Sequence, residues 1–149
     1  MSIKIGGRSG GKSATAAAAY RAGDEVRDAE RGRVYDYTAK RGVVHSEILL
    51  PEHAPQAWRD RAELWNAVEE RERASNSQLY REFEIALPRE LPRGEQLELV
   101  RDWIKAELVA RAACVRTSPY TTATTATRTR IYYARRDRLT RAVSGEPKK

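Results

Sequence analysis

The chain has 149 residues and 28 Lys and Arg against 21 Asp and Glu, enough length for one domain with a real core and a formal charge of +7. It has no run of 18 or so apolar residues, and Met1 to Ile5 followed by glycines lacks the apolar centre of a secretory leader, so a cytoplasmic protein without membrane insertion is expected. A single cysteine, Cys114, excludes an internal disulfide and a thiolate metal cluster.

The basic excess is local. Residues 1–111 carry 19 Lys and Arg and 19 Asp and Glu, whereas residues 112–149 carry nine cations against two anions. The same tail holds eight of the ten threonines, with a run from Thr121 to Thr127 that has no periodicity of core burial. Composition therefore breaks near Arg111, and the tail reads as poorly ordered.

In chain order, Ile3 to Ile5 form a short strand, Gly6 to Gly11 a glycine-rich loop, and Ser13 a natural N-cap for an alanine-rich helix from Ala14 to Ala22 that Gly23 stops. Asp24 to Arg41 is polar and broken, with Tyr35 and Tyr37 available for packing or stacking. Val43 to Leu50 reads as a strand ended by Pro51 and Pro55. Trp58, Ala62, Trp65 and Val68 recur at helical spacing and predict an amphipathic helix over Gln56 to Arg73. Leu79, Phe83, Ile85 and Leu87 alternate against Tyr80, Glu82 and Glu84, which is the period of a half-buried strand and sets two carboxylates on one sheet face. After Pro88 and Pro92, Leu97, Val100, Ile104 and Leu108 mark a further helix running to about Arg111.

Gly6-Gly7-Arg8-Ser9-Gly10-Gly11-Lys12-Ser13 fits the GxxxxGK[ST] pattern of a phosphate-cradling loop between strand and helix. A nucleotide hydrolase also needs an acidic metal ligand at the end of a buried strand in a mainly parallel sheet. Here the candidate strands end in Leu50-Pro51 and Leu87-Pro88, so this is the lesser alternative.

The segment from Gly7 to Gly23, with its glycine-rich start, Ser13-Ala14, alanine-rich helix and Tyr20, resembles the N-terminus of MobA/MobL plasmid mobilisation relaxases. The likeness continues through Asp36-Tyr37-Thr38, Glu47-Ile48-Leu49-Leu50-Pro51, Ala54-Pro55, Leu64-Trp65-Asn66, Val68-Glu69, and Gln78-Leu79 to Ile85-Ala86-Leu87-Pro88, covering essentially residues 3 to 111. Lys12 stands where the family carries glutamine or arginine, which accounts for the nucleotide-loop match.

The resemblance implies an α+β fold: a mainly antiparallel sheet with helices packed on one side, the palm of an HUH-endonuclease-like relaxase, here incomplete at its C-terminal end. It implies an enzyme that nicks single-stranded DNA at a transfer origin, with a tyrosine attacking one phosphodiester and becoming joined to the 5' phosphate. Tyr20 matches the nucleophile and Glu82 an acidic residue beside the centre. A phenol with a pKa near 10 needs a neighbouring charge or base to react at neutral pH. In the family a divalent metal, Mg or Mn, held by three histidines polarises the phosphate. Relaxosome accessory proteins and a type IV secretion coupling protein are the implied partners.

His45 and His53 are the only histidines and do not form a ligand pair. The family's histidine segments should follow the last helix, where residues 112–133 stand. Read one base over, threonine codons become codons ending in AC, which encode His, Asp, Asn or Tyr. Residues 126–133 then admit G-N-P-H-A-H-I-L, and residues 117–122 admit D-F-A-V-H-D. The sequence thus divides into an N-terminal relaxase part, 1–111, and an out-of-frame basic tail, 112–149. As written, the chain lacks the histidine triad, so no metal binding and no nicking are expected of it. The alternative is a non-enzymatic nucleic-acid-binding accessory protein that uses the basic tail.

Overall fold

The computed structural model describes residues 1–50, 54–110, 120–124 and 128–133. Strand β1 (Ser2–Gly7) leads through a single helical turn into helix α1 (Ala14–Ala22). Ser13 caps α1 by accepting the Ala16 N–H, and Gly23 ends it in the left-handed conformation at φ 65°, which a side chain rarely adopts. The sequence expectation for this helix holds at both ends.

Residues 24–41, which read as broken polar chain, contain a hairpin of β2 (Glu25–Asp28) and β3 (Arg33–Asp36). Val26 and Asp28 alternate inward, and Gly32 at φ 61° lies in the connection between the strands. Strand β4 (His45–Leu49) follows. The helix expected over Gln56 to Arg73 is two pieces, a turn at Gln56–Arg59 carrying Trp58 and helix α2 (Arg61–Arg71). Asp60 separates them because its side chain accepts the Glu63 N–H and starts a new helix. Strand β5 (Gln78–Ala86) and helix α3 (Arg93–Trp103) come next, the latter continuing as a π-helical segment, Ile104–Ala110.

Two strands then arise from the tail: β6 (Tyr120–Thr124) and β7 (Arg128–Tyr133). This departs from the poorly ordered tail expected from composition. Threonine, isoleucine and tyrosine favour a pleated surface, and β7 finds one between β5 and β6. The sheet runs β1-β5-β7-β6-β4 with every neighbouring pair antiparallel.

Helices cover both faces of this sheet, not one side as the resemblance implied. On one face α1 and α2 pack through Ala14, Ala18, Leu64, Trp65 and Val68 against Ile48 and Tyr80. On the other, Val100 and Ile104 of the last helical stretch meet Phe83, Ile85, Leu49 and Ile131. The period of two makes this possible: Ile48 and Leu49 of one strand serve opposite cores. Glu47, on the α3 face, holds Arg101 through two hydrogen bonds of 3.0 and 2.9 Å.

Gly6 lies opposite Tyr80 in the β1–β5 ladder, and a Cβ there would come within 2.2 Å of the buried tyrosine ring. Gly6→Ala is therefore expected to lower stability by about 1–3 kcal/mol by overpacking. Urea denaturation measures it, and the loss should shrink in a Tyr80→Leu background.

Candidate active site

Tyr20 sits in the last turn of α1 with 48% of its surface exposed. Its ring meets that of Tyr37 edge to face at 5.3 Å. The Lys40 ammonium lies 3.8 Å from the Tyr20 ring centroid and donates a 2.6 Å hydrogen bond to the Tyr20 carbonyl. That contact places a cation at the C-terminus of α1, where the helix dipole favours it. An aromatic pair and an ammonium thus hold the phenol at an open edge of the fold.

The next residue, Arg21, turns toward the sheet. Its guanidinium bonds Glu82 Oε2 and lies 5.2 Å above the Tyr80 ring, which itself stands edge-on to Trp65 at 6.4 Å. A continuous stack therefore runs from the α2 core to the site. Glu82 is 1% exposed, buried under α1 and not on a solvated strand face. Arg130 of β7 approaches the other Glu82 oxygen at 3.7 Å and bonds Glu84 at 2.9 Å. The two carboxylates that alternate onto one face of β5 are thus neutralised by guanidiniums from α1 and β7. The Arg21 guanidinium is pulled down by burial, but the hydrogen bond and charge of Glu82 outweigh this and raise its pKa above the ordinary value. Lys40 is pushed the other way, by burial first and then by the charges of Arg130 and Arg21.

A second ionic cluster fixes the opposite end of α1. Glu69 of α2 accepts the Ala14 N–H at 2.5 Å and pairs with Arg8 at 2.9 Å. Asp28 accepts from Thr15 at 2.6 Å and from Arg31 at 2.9 Å. The glycine-rich loop is consequently no nucleotide cradle. A phosphate would have to sit at the N-terminus of α1, where the buried Glu69 carboxylate already accepts the N–H, and the sheet is antiparallel.

Tyr20 and Glu82, the two residues singled out from the sequence, converge through neighbouring Arg21. Tyr37 was noted only as a stacking residue, and Lys40 and Arg130 were missed: a loop lysine and a tail arginine carry no local pattern. His45 lies on the opposite face of the sheet, with its Nε2 3.5 Å from Glu47, and His53 falls outside the described residues. Glu82 does not suit a metal ion here, because both its oxygens face guanidiniums. Among the described residues no three His, Cys, Asp or Glu side chains come together to hold one. No described helix is long and apolar enough to cross a membrane. A polar cavity of about 470 Å³ lined by Asp24, Glu25, Glu47 and Asp60, with Arg59 and Arg61, is too rich in carboxylates to suit a nucleic-acid backbone.

Residues 12–137 match the MobA/MobL family. The chain is 46% identical over 106 residues to the mobilization protein MobL of Acidithiobacillus ferridurans, covering 71% of this chain and 27% of that protein. It is 35% identical over 121 residues to the conjugal transfer protein TraA of Agrobacterium fabrum, covering 74% of this chain and 11% of that one. A solved structure described as "Molecular Basis of Vancomycin Resistance Transfer in Staphylococcus aureus" superposes with a TM-score of 0.78 at 27% identity, covering 89% of this chain and 68% of that chain. The chain thus spans about a quarter or less of these two curated relatives.

Two measurements check the ionic framework. Glu82→Gln leaves Arg21 and Arg130 facing each other without their shared anion, and a stability loss of about 3 kcal/mol is expected in chemical denaturation. Asp28 is pushed up by burial, but the Thr15 and Arg31 hydrogen bonds outweigh this, so its folded pKa lies below the ordinary value; the Arg101 hydrogen bond likewise lowers that of Glu47. Lowered carboxylates contribute stability that is complete above their unfolded pKa and is lost as pH falls through the folded one, so the urea midpoint should drop below about pH 4. Glu69, raised by burial, has the opposite sign: its ionised form costs stability at neutral pH, and that cost is relieved as pH falls through its folded pKa. Asp28→Asn should flatten the acid loss, and Glu69→Gln should remove the opposing rise.

Proposed function

The chain belongs to the MobA/MobL family, and from that premise we propose that it is the N-terminal relaxase part of a conjugative mobilisation protein, built to nick one strand at a transfer origin through Tyr20. The observation that carries this is the placement of Tyr20: half exposed, braced by Tyr37 and Lys40, and one residue from the Arg21–Glu82 pair. An exposed phenol with an ammonium against its ring suits attack on a phosphodiester, because a cation helps to neutralise the phosphate that the phenolic oxygen must approach. Glu82 is a positioning residue that aims Arg21. Single-stranded DNA is the substrate, and relaxosome accessory and type IV secretion coupling proteins are the partners, in keeping with the mobilisation and conjugal-transfer names of its relatives.

We further propose that residues 112–149 are out of frame with 1–111 and that the polypeptide as written does not nick. The charge step, the threonine run and the shifted reading support this. The family match extends past the seam to residue 137, and β6 and β7 lie in the sheet there. Thr129 and Ile131, where shifted codons admit histidine, alternate onto the α3 side, as the packing of Ile131 shows. Shifting β7 by one residue would turn both positions toward Tyr20.

Translating the neighbouring frame of the coding DNA across the Arg111 seam should give three histidines. With origin-bearing single strands and Mg or Mn, the chain as written should yield no covalent product, and the frame-restored chain should yield one that disappears in Tyr20→Phe. A Tyr20-dependent cut by the chain as written, or no histidines in the neighbouring frame, overturns the frame proposal.

A further inference from the structure

We propose that the open edge of β1 is a docking surface for a second copy of this chain, the two first strands pairing antiparallel about a two-fold axis through Ile3. Strand β1 closes one side of the five-stranded sheet and is bonded to β5 alone. Such an edge presents unpaired N–H and C=O groups that another strand can take up. Ile3 and Ile5 stand opposite Phe83 and Arg81, which places them on the face that carries α3, yet they are 58% and 55% exposed. Met1 continues the alternation and is exposed as well. The flank of α3 above this strip is also apolar. Arg101 reaches to Glu47 on β4, at the far edge of the sheet. Leu99 and Trp103 each lie two residues from Arg101, about 200° round the helix, so they are turned toward β1. Trp103 meets Phe83, the neighbour of Ile3, at 5.8 Å, and Leu99 is exposed. Exposed apolar side chains gathered at one edge of one face are the kind of patch that marks an interface.

The pattern of the strand selects its occupant. With the axis at Ile3, that residue faces its own copy, Met1 faces Ile5 and Ser2 faces Lys4. Every apolar side chain then meets an apolar one on the α3 face, and each lysine meets a serine on the other. With the axis at Lys4 instead, the two ammoniums would stand directly opposite, which is unfavourable. Lys4 therefore fixes the register while it blunts pairing with other strands. A two-fold contact uses the same surface on both copies and closes on itself, so assembly stops at a dimer. The two α3 helices come to lie on one side of the joined sheet, flanking the shared apolar strip, and both copies of α1 with Tyr20 are left on the other side.

Sedimentation equilibrium of the full chain from about 5 to about 500 µM should show a reversible monomer–dimer equilibrium, as an interface built on one short strand gives. Ile3→Glu is expected to weaken dimerisation at least about tenfold and Leu99→Glu at least about threefold, while Val34→Glu, at an exposed apolar residue of the β2–β3 hairpin, should change it less than about twofold. In a Cys114→Ser background, mild oxidation should join Ile3→Cys to its own copy, because directly opposed Cα atoms in an antiparallel ladder lie about 4.5–5.5 Å apart. Ile5→Cys, facing Met1, and Val34→Cys should stay monomeric on a denaturing gel. The substituted side chains Ile3, Ile5, Val34 and Leu99 are exposed, so folding is expected to survive, and circular dichroism melting checks it. A chain that stays monomeric throughout, a dimer that Ile3→Glu and Val34→Glu affect alike, or an Ile5→Cys bond that forms as fast as the Ile3→Cys bond overturns the proposal. If the chain is monomeric and iodoacetamide reacts with Ile3→Cys fast here but slowly in the frame-restored chain, the segment that follows is the occupant and the second copy is overturned.

Discussion

Six of the nine residues of helix α1 are alanine, so much of its surface is smooth and shape alone would fix its position along the sheet poorly. Hydrogen bonds to buried carboxylates at its two ends remove that freedom. At the start, Glu69 takes the Ala14 N–H and Asp28 takes the Thr15 hydroxyl; at the finish, Arg21 bonds the buried Glu82. Buried carboxylates add little net stability once desolvation is counted, but removing a partner is costly, and here they specify register. The position of Tyr20 follows from this constraint, since it is the residue before Arg21 on a rigid rod tied at both ends.

The small size of alanine has a second consequence. It lets α1 approach α2 and the sheet closely enough for Arg21 to reach over the Tyr80 ring, and Tyr80 can lie flat there because Gly6 across the ladder has no side chain. Trp65 closes the same stack from α2. Core packing and site geometry are therefore one structure: the aromatic column that stabilises the domain also supports the guanidinium beside the candidate nucleophile.

On the sheet itself, the place opposite Glu82 and Glu84 is taken by β7, which supplies Arg130. A histidine-bound cation and a guanidinium are both positive, but they differ in chemistry. A guanidinium binds and orients a phosphate through N–H groups, whereas a metal ion also acts as a Lewis acid. Here Glu82 is met by the guanidiniums of Arg21 and Arg130, and among the described residues no three His, Cys, Asp or Glu side chains come together to hold a metal.

Much of this was legible in the sequence because it depends on local chemistry. Ser13 and Gly23 bound α1 through cap geometry that needs no tertiary partner, and the alternation around Glu82 follows from strand period alone. Tyr20 and Glu82 were found through the resemblance, and the structure pairs Glu82 with Arg21, the residue after Tyr20. The β2–β3 hairpin was hidden because its inward residues include Asp28, a charge that is buried only because Thr15 and Arg31 meet it there. Tertiary structure alone decided that helices cover both faces, that a threonine-rich tail enters the centre of the sheet, and that Lys40 and Arg130 join the site. Each of these depends on which segments meet across long stretches of chain, and burial and charge at such contacts are properties of the pair, which neither residue carries by itself.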